Sequence, residues 1–490
     1  MNVFTNTLIR RAGWTVATFF IAFGASVWIS WRLDAGSDRL LSDGELMTRL
    51  LLIPSLFAAL VLAFISTIYP ARAHAAAPPV QVAAKETTPF LAQVVGLQWL
   101  NPLQRMDYPA EWQLLWTLGL AKHNPDDDMV KKNPQKYSKV QVISSVAVGD
   151  EGQMSFKGYH EQYVLQAMVL YRDIYFSDSK YFYNAHSLDD KSTWRELAGI
   201  HVEYALPVGK FDSVEVTKFT QETIASYFDI GNKNFPNSWT RSTLPDVRIT
   251  MGGPNAGFTS LAAGLDYLQA HPSETVWVMN WDAPSRPKDR QINENMVQLI
   301  LAGPNYQTGR APLAWLGYPA IGKPADFESK PELPSRRVQA WKAALAKAAL
   351  NGGKQTADIG FAIHDAGQGQ PSSSDRLAGL AQTVAEELPE LDFLKQTFNT
   401  PALLGEMGAG TALTNVALAI AYANHIGKTV LVAGTTDEAQ QVATLVVPPK
   451  VIRPIVPDKP WFRARGGNHV YLPWWGLRHD STITQQGFSK

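Results

Sequence analysis

The chain has no cysteine among its 490 residues. That excludes a disulfide framework, a thiolate metal site and a thiol nucleophile. It also lacks an excess of charge of either sign. Lys plus Arg is 44 and Asp plus Glu is 44, for a formal net charge of zero. Without a basic surplus there is no long-range attraction to phosphate, so nucleic acid is not an expected partner. The ten histidines are scattered, with no H-x-x-x-H pair and no zinc spacing. The acidic run "PDDDM" at 125–129 reads as a solvated charge cluster rather than a cation site. There is no G-x-S-x-G elbow, and "NGGKQT" has Ala348 where a phosphate loop needs its leading glycine. Neither a metal nor a cofactor is expected.

What is present is a globular composition with an atypical start. Hydrophobic residues make up 46% and aromatics 11%, enough for a large core in more than one domain. Residues 12–31 and 50–69 are two runs without a charged side chain. Each is long enough to cross a bilayer as a helix. Trp14, Trp28, Trp31 and Tyr69 lie near the run ends, where aromatic rings favour the membrane interface. Two successive runs argue against a signal peptide, which has one short apolar core. Residues 1–70 are therefore expected to form a transmembrane hairpin. Arg10, Arg11, Arg72 and Lys85 flank it, against Arg32, Arg39 and Arg49 in its loop. That bias favours both ends in the cytoplasm. The expected location is a bacterial inner membrane, multi-pass, with the soluble part facing the cytoplasm.

Residues 71–89 are rich in Ala and Pro and read as a linker. Beyond them, strand-like runs at 140–148, 276–279, 359–363 and 429–432 alternate with helical patterns at 260–270, 338–350, 377–388 and 411–426. Such alternation predicts an α/β fold with a largely parallel sheet. Residues 122–139 read as an exposed loop and 281–337 as insertions. The expected division is an N-terminal half at 90–330, a C-terminal half at 331–455 and an aromatic-rich arm at 456–490.

Three segments, in chain order, resemble the thiolase-like fold of β-ketoacyl synthases. "MGGPNAGFTSLAAGLDYL" at 251–268 resembles the loop and buried helix that carry the nucleophile, through Gly253, Pro254, Thr259 and Gly264. "DIGFAIHDAGQGQP" at 358–371 resembles the strand and turn of the first histidine, through Gly367, Gly369 and Pro371. "LLGEMGAGTALTNVALAIAYANHIGKTVLVAG" at 403–434 resembles the turn of the second histidine, its helix and the following strand. The resemblance implies a thiolase-like two-half layered fold and, as is usual for it, pairing of two copies through a sheet edge. It also puts Leu261 at the nucleophile position, Ala366 at the first histidine position and Glu406 at the second. An aliphatic side chain cannot attack a carbonyl and a methyl cannot donate a hydrogen bond, so no acyl condensation is expected. His364, two residues before Ala366 on the same strand face, is the one nearby histidine that a slipped alignment could restore.

A two-span start, a thiolase-like body without its catalytic groups and a Trp-rich tail are together similar to the type VI lipase adaptor proteins of Gram-negative bacteria. That similarity implies a non-enzymatic adaptor. It would bind a phospholipase effector and load it on the spike protein of a type VI secretion system. Trp461, Phe462, Arg463, Tyr471, Trp474 and Trp475 are the expected partner-binding side chains, since exposed aromatics and arginines anchor interfaces. The alternative is a thiolase-class protein that binds acyl-CoA or an acyl group, or turns it over, through His364 or Glu406.

Overall fold

The computed structural model describes residues 89–100, 108–138, 140, 155–177, 200–234, 243–284, 293–307, 311–367, 371–455 and 474–476, with isolated residues among the first 87. The chain divides into two compact units, Met1–Thr87 and Thr88–Lys490. Among the described residues no helix is long and apolar enough to cross a membrane. The hairpin expected at 12–31 and 50–69 lies outside the described residues, as does nearly all of the strand expected at 140–148.

The second unit is built on one sheet. Its strands are β1 (Ala92–Leu100), β2 (His201–Pro207), β3 (Asp246–Gly252), β4 (Thr275–Asp282), β5 (Asn295–Ala302), β6 (Trp315–Leu316), β7 (Ala320–Gly322), β8 (Ile359–His364), β9 (Thr397–Asn399), β10 (Thr429–Gly434), β11 (Gln441–Val447) and β12 (Trp474–Trp475). The hydrogen-bonded order is β3-β2-β4-β5-β1-β6-β11-β10-β8-β9, with β7 on β11 and β12 on β1. That order is a duplication. With β6, β8, β9, β10 and β11 counted as the first to fifth strands of a second set, each half reads third-second-fourth-fifth-first. The strand directions repeat as well. β2 is parallel to β3 and β4, and β8 is parallel to β9 and β10. β5 and β11 are each antiparallel to both neighbours within their half. The halves meet where β1 pairs antiparallel with β6. Two like halves joined at one strand pair are the two-half layering expected of the thiolase-like fold.

Main helices are α1 (Ala110–Thr117), α2 (Phe156–Ser177), α3 (Ser213–Tyr227), α4 (Ala256–Ala270), α5 (Arg336–Asn351), α6 (Pro371–Glu387) and α7 (Thr411–Ile426). The central strands are buried on both faces, and alternate residues feed different cores. Val276 and Val278 of β4 join a core shared with α1, α4 and α7, whereas Trp277, Met279 and Trp281 face a second core under α2 and α3. In β10, Val430 and Val432 enter the shared core and Leu431 and Ala433 enter a third, under α5 and α6. The result is five layers, with α4 and α7 in the middle. Helices hydrophobic all round belong in such a layer, and α7 has fourteen of its sixteen residues buried. Close approach also needs small residues. A Cβ on Gly264 would lie 2.8 Å from Val278 Cγ2.

Several expectations are corrected. Among the described residues the sheet is mixed rather than largely parallel, with seven antiparallel strand pairs and four parallel ones. The stretch 281–337 holds β5, β6 and β7 rather than insertions alone. β6 and β7 hydrogen-bond to β11, so the second half is under way by Trp315 instead of starting at 331. The loop expected at 122–139 contains short helices at Asp128–Lys132 and Pro134–Tyr137. Trp474 and Trp475, expected on a partner-binding surface, are buried at 2% and 3% exposure as a strand beside β1.

Candidate functional site

The carboxyl ends of the parallel strands are where an open α/β sheet gathers its loops. Here the ends of β3, β4, β8 and β10 converge on the first turns of α4 and α7. A Cβ on Gly434, at the end of β10, would fall 2.4 Å from Asn255 Oδ1 and 2.8 Å from Phe258. One on Gly257 would touch Ala412 at 3.0 Å. The two halves thus interdigitate at this end through residues with little or no side chain.

Carboxylates and amides pin the loops. Asp282, at the end of β4, accepts from the backbone N–H of Ala283 at 2.8 Å and from that of Ala409, in the other half, at 2.9 Å. Burial raises its pKa to about 6, against the lowering effect of those two N–H groups. Asn280 donates to the Gly410 carbonyl at 2.7 Å and accepts from the Val297 N–H at 3.0 Å. Asn293 donates to the Leu404 carbonyl at 2.5 Å, and its own N–H reaches the Glu406 carbonyl at 2.6 Å. Asn295 donates to the Asn293 and Met407 carbonyls and accepts from the Thr414 hydroxyl. The β4–β5 hairpin of the first half therefore holds the 404–414 segment of the second.

On β8, His364 is buried, and its Nδ1 accepts from the Ala366 N–H at 3.3 Å. Burial lowers its pKa to about 4. At neutral pH the ring is uncharged, with its proton on Nε2. Asp365 is also buried. It accepts from the Thr435 N–H at 2.6 Å, the Thr435 hydroxyl at 2.8 Å and the Thr436 hydroxyl. Burial raises its pKa while those donors oppose the rise. Asn399 and Gly367 exchange two hydrogen bonds, at 2.8 and 3.2 Å.

The expected site residues fall differently. Ala366 is fully buried in the turn after β8. Glu406 is exposed, and its Oε1 lies 3.4 Å from where a Cβ on Gly367 would stand, so the two loops meet as expected. Leu261 is not at a helix N-terminus. α4 begins at Ala256, and Leu261 lies in its second turn, fully buried in the shared core. The residue at the helix start is Asn255, whose side chain is nearly buried and whose amide atoms have no hydrogen-bond partner. Trp461, Phe462, Arg463 and Tyr471 lie outside the described residues. Among the described residues no cluster of three His, Asp or Glu side chains is placed to hold a metal ion. Chemically, the buried ionisable groups His364, Asp365 and Asp282 each spend hydrogen bonds on loop backbone.

Residues 313–448 match the family model described as type VI lipase adapter protein Tla3, C-terminal. The matched segment contains β6 to β11, which is the whole second set of strands. It is the family whose likeness the sequence carries. No curated protein matches the chain. Among solved structures, the oxazolomycin ketosynthase domain of Streptomyces albus JA3453 aligns at 12% identity over 77% of this chain and 100% of its own, with a TM-score of 0.43. The ketosynthase from module 6 of the bacillaene synthase of Bacillus subtilis 168 aligns at 11% identity over 73% of this chain and 70% of its own, with a TM-score of 0.46.

Proposed function

We propose that the chain is a non-enzymatic adaptor that binds a phospholipase effector and loads it on the spike of a type VI secretion system. The observation that carries this is the match of 313–448, the complete second half, to the lipase adapter family. Site chemistry supports it. At the end of β4 a buried carboxylate and an amide tie the two halves together, and at the end of β8 a buried carboxylate ties loops within the second half. Such cross-ties give a rigid surface, which lowers the cost of ordering on binding. We also propose that the hairpin at 1–70 holds this body at the cytoplasmic face of the inner membrane, from the apolar runs and flanking arginines. Deleting the gene in a strain with an active type VI system should abolish secretion of the partner lipase while other effectors still leave the cell. Normal lipase export would sink the adaptor role. Periplasmic phosphatase activity from a C-terminal reporter fusion would sink the topology.

A second reading, an acyl-group binder, has one observation in its favour. Asn255 brings buried amide atoms without partners to the start of α4, and a helix start offers backbone N–H groups to an acyl oxygen. Incubation with acyl-CoA followed by mass measurement decides it: no bound acyl group and no turnover would exclude it.

A further inference from the structure

β1 is the strand where the halves join, and its two edges are covered unequally. β5 lies along one edge from Gln93 to Leu100. On the other edge, β6 pairs only with Ala92 and Gln93, and residues 313 and 314 hydrogen-bond to Val94. Beyond that point the edge is taken by β12, through Leu97↔Trp475 and Gln98↔Trp474. This is a two-residue strand, so its backbone pairing alone is weak. Its side chains do the holding, one on each face of the sheet. Trp474 enters the core under α2, with its ring 4.7 Å from that of Tyr171. Trp475 enters the shared core, with its ring 5.7 Å from that of His425 on α7. Gly476 follows at φ +92°, and a Cβ there would stand 2.8 Å from the Val95 carbonyl oxygen. A side chain at that position is excluded by both conformation and space.

One polar feature specifies the occupant further. Gln98 sits in register between Trp474 and Gln298. Both amide atoms of each glutamine and Nε1 of Trp474 are buried without a hydrogen-bond partner. An unmet buried donor or acceptor costs on the order of 1–3 kcal/mol. The unmet Trp474 indole N–H thus belongs to the residue in register with Gln98.

We propose that the outer edge of β1 is a strand-acceptor slot for an extended Trp-Trp-Gly segment, and that Trp474, Trp475 and Gly476 form a detachable latch seated in it. The latch bridges both halves, through Tyr171 on one side and His425 and Leu313 on the other. To test this, a site-specific protease sequence is placed within 456–473 of the full chain, and the arm is cut after folding. The cut arm should remain with the body through gel filtration. A fluorescent peptide of residues 470–480 should then exchange into the slot when added in excess. Peptides carrying Trp474→Ala, Trp475→Ala or Gly476→Val should compete at least tenfold less well, since removing a buried indole or forcing a Cβ against a backbone oxygen is costly. An arm that departs on cleavage, an arm that stays but never exchanges, or a doubly alanine-substituted peptide that competes as well as the native one would each overturn the latch.

Discussion

Gly410→Ala should cost roughly 3–6 kcal/mol, by overpacking together with lost buried hydrogen bonds, and should remove most soluble folded protein. The backbone of Gly410 is in an ordinary helical conformation, so the cause is space. A Cβ there would lie 2.0 Å from Asn295 Oδ1, 2.4 Å from its Nδ2 and 2.5 Å from its Cγ. Asn295 cannot step aside cheaply. It is fully buried and tied to Asn293, Met407 and Thr414. The Gly410 carbonyl cannot move either without releasing Asn280 and Thr414. The measurement is the denaturant midpoint of Gly410→Ala against Gly253→Ala, a position with nothing within 4 Å of its Cβ. Adding Asn295→Ala should recover part of the loss, because it vacates the clash, and neighbouring changes of this kind are not additive. Equal stability of the two glycine variants would refute the close approach of the halves.

Acidification from pH 7 to pH 4 should destabilise the protein, with His160, His364 and Asp282 together contributing on the order of 4 kcal/mol through proton linkage. Burial pushes His160 down to about 3 and His364 down to about 4, from 6.5. Both are about 1% exposed, and the His160 Nε2 lies 2.9 Å from the equally buried Tyr204 hydroxyl. For a histidine whose folded pKa is depressed, the unfolded chain takes the proton first. Its stability contribution is complete above pH 6.5 and drains away as pH falls toward the folded value. Each ring loses on the order of 3 kcal/mol by pH 4. Asp282 works the other way. Its folded pKa of about 6 lies above the ordinary 3.8, so it costs stability as pH rises through 6 and returns about 2 kcal/mol on acidification. Urea unfolding at pH 7, 5.5 and 4 reads the slope. The His160→Gln, His364→Gln double variant should flatten it, and Asp282→Asn should steepen it. A double variant with the wild-type slope would contradict the neutral burial of both rings.

How much of this was legible from sequence depended on how far apart the partners are. β4, β8, β10, α4, α5 and α7 were readable because their periodicity and flanking glycines are local. β1, β2 and β5 were not, since buried strands interrupted by Gln98, Glu203, Asn295 and Gln298 lose the apolar run that marks a strand. The duplication exists only in hydrogen-bonding order, so it left no period in the chain. At the site, the glycine spacing placed Ala366 and Glu406 in loops that do meet. The same spacing put Leu261 at the nucleophile position, but α4 begins with the turn after Pro254, and the helix carries Leu261 into the core. The amide ties from Asn280 and Asn293 span 130 and 111 residues, and no local pattern announces them. Trp474 and Trp475 looked like surface anchors because an aromatic cluster near a terminus carries no sign of which strand edge will bury it.

The adaptor role is tested most directly by purifying the tagged full chain, in mild detergent, from a strain with an active type VI system and identifying by mass spectrometry what stays bound. A phospholipase retained together with a spike subunit, and lost when the secretion system's lipase is deleted, is the predicted result. A chain that comes through with neither a lipase nor a spike component would contradict the account.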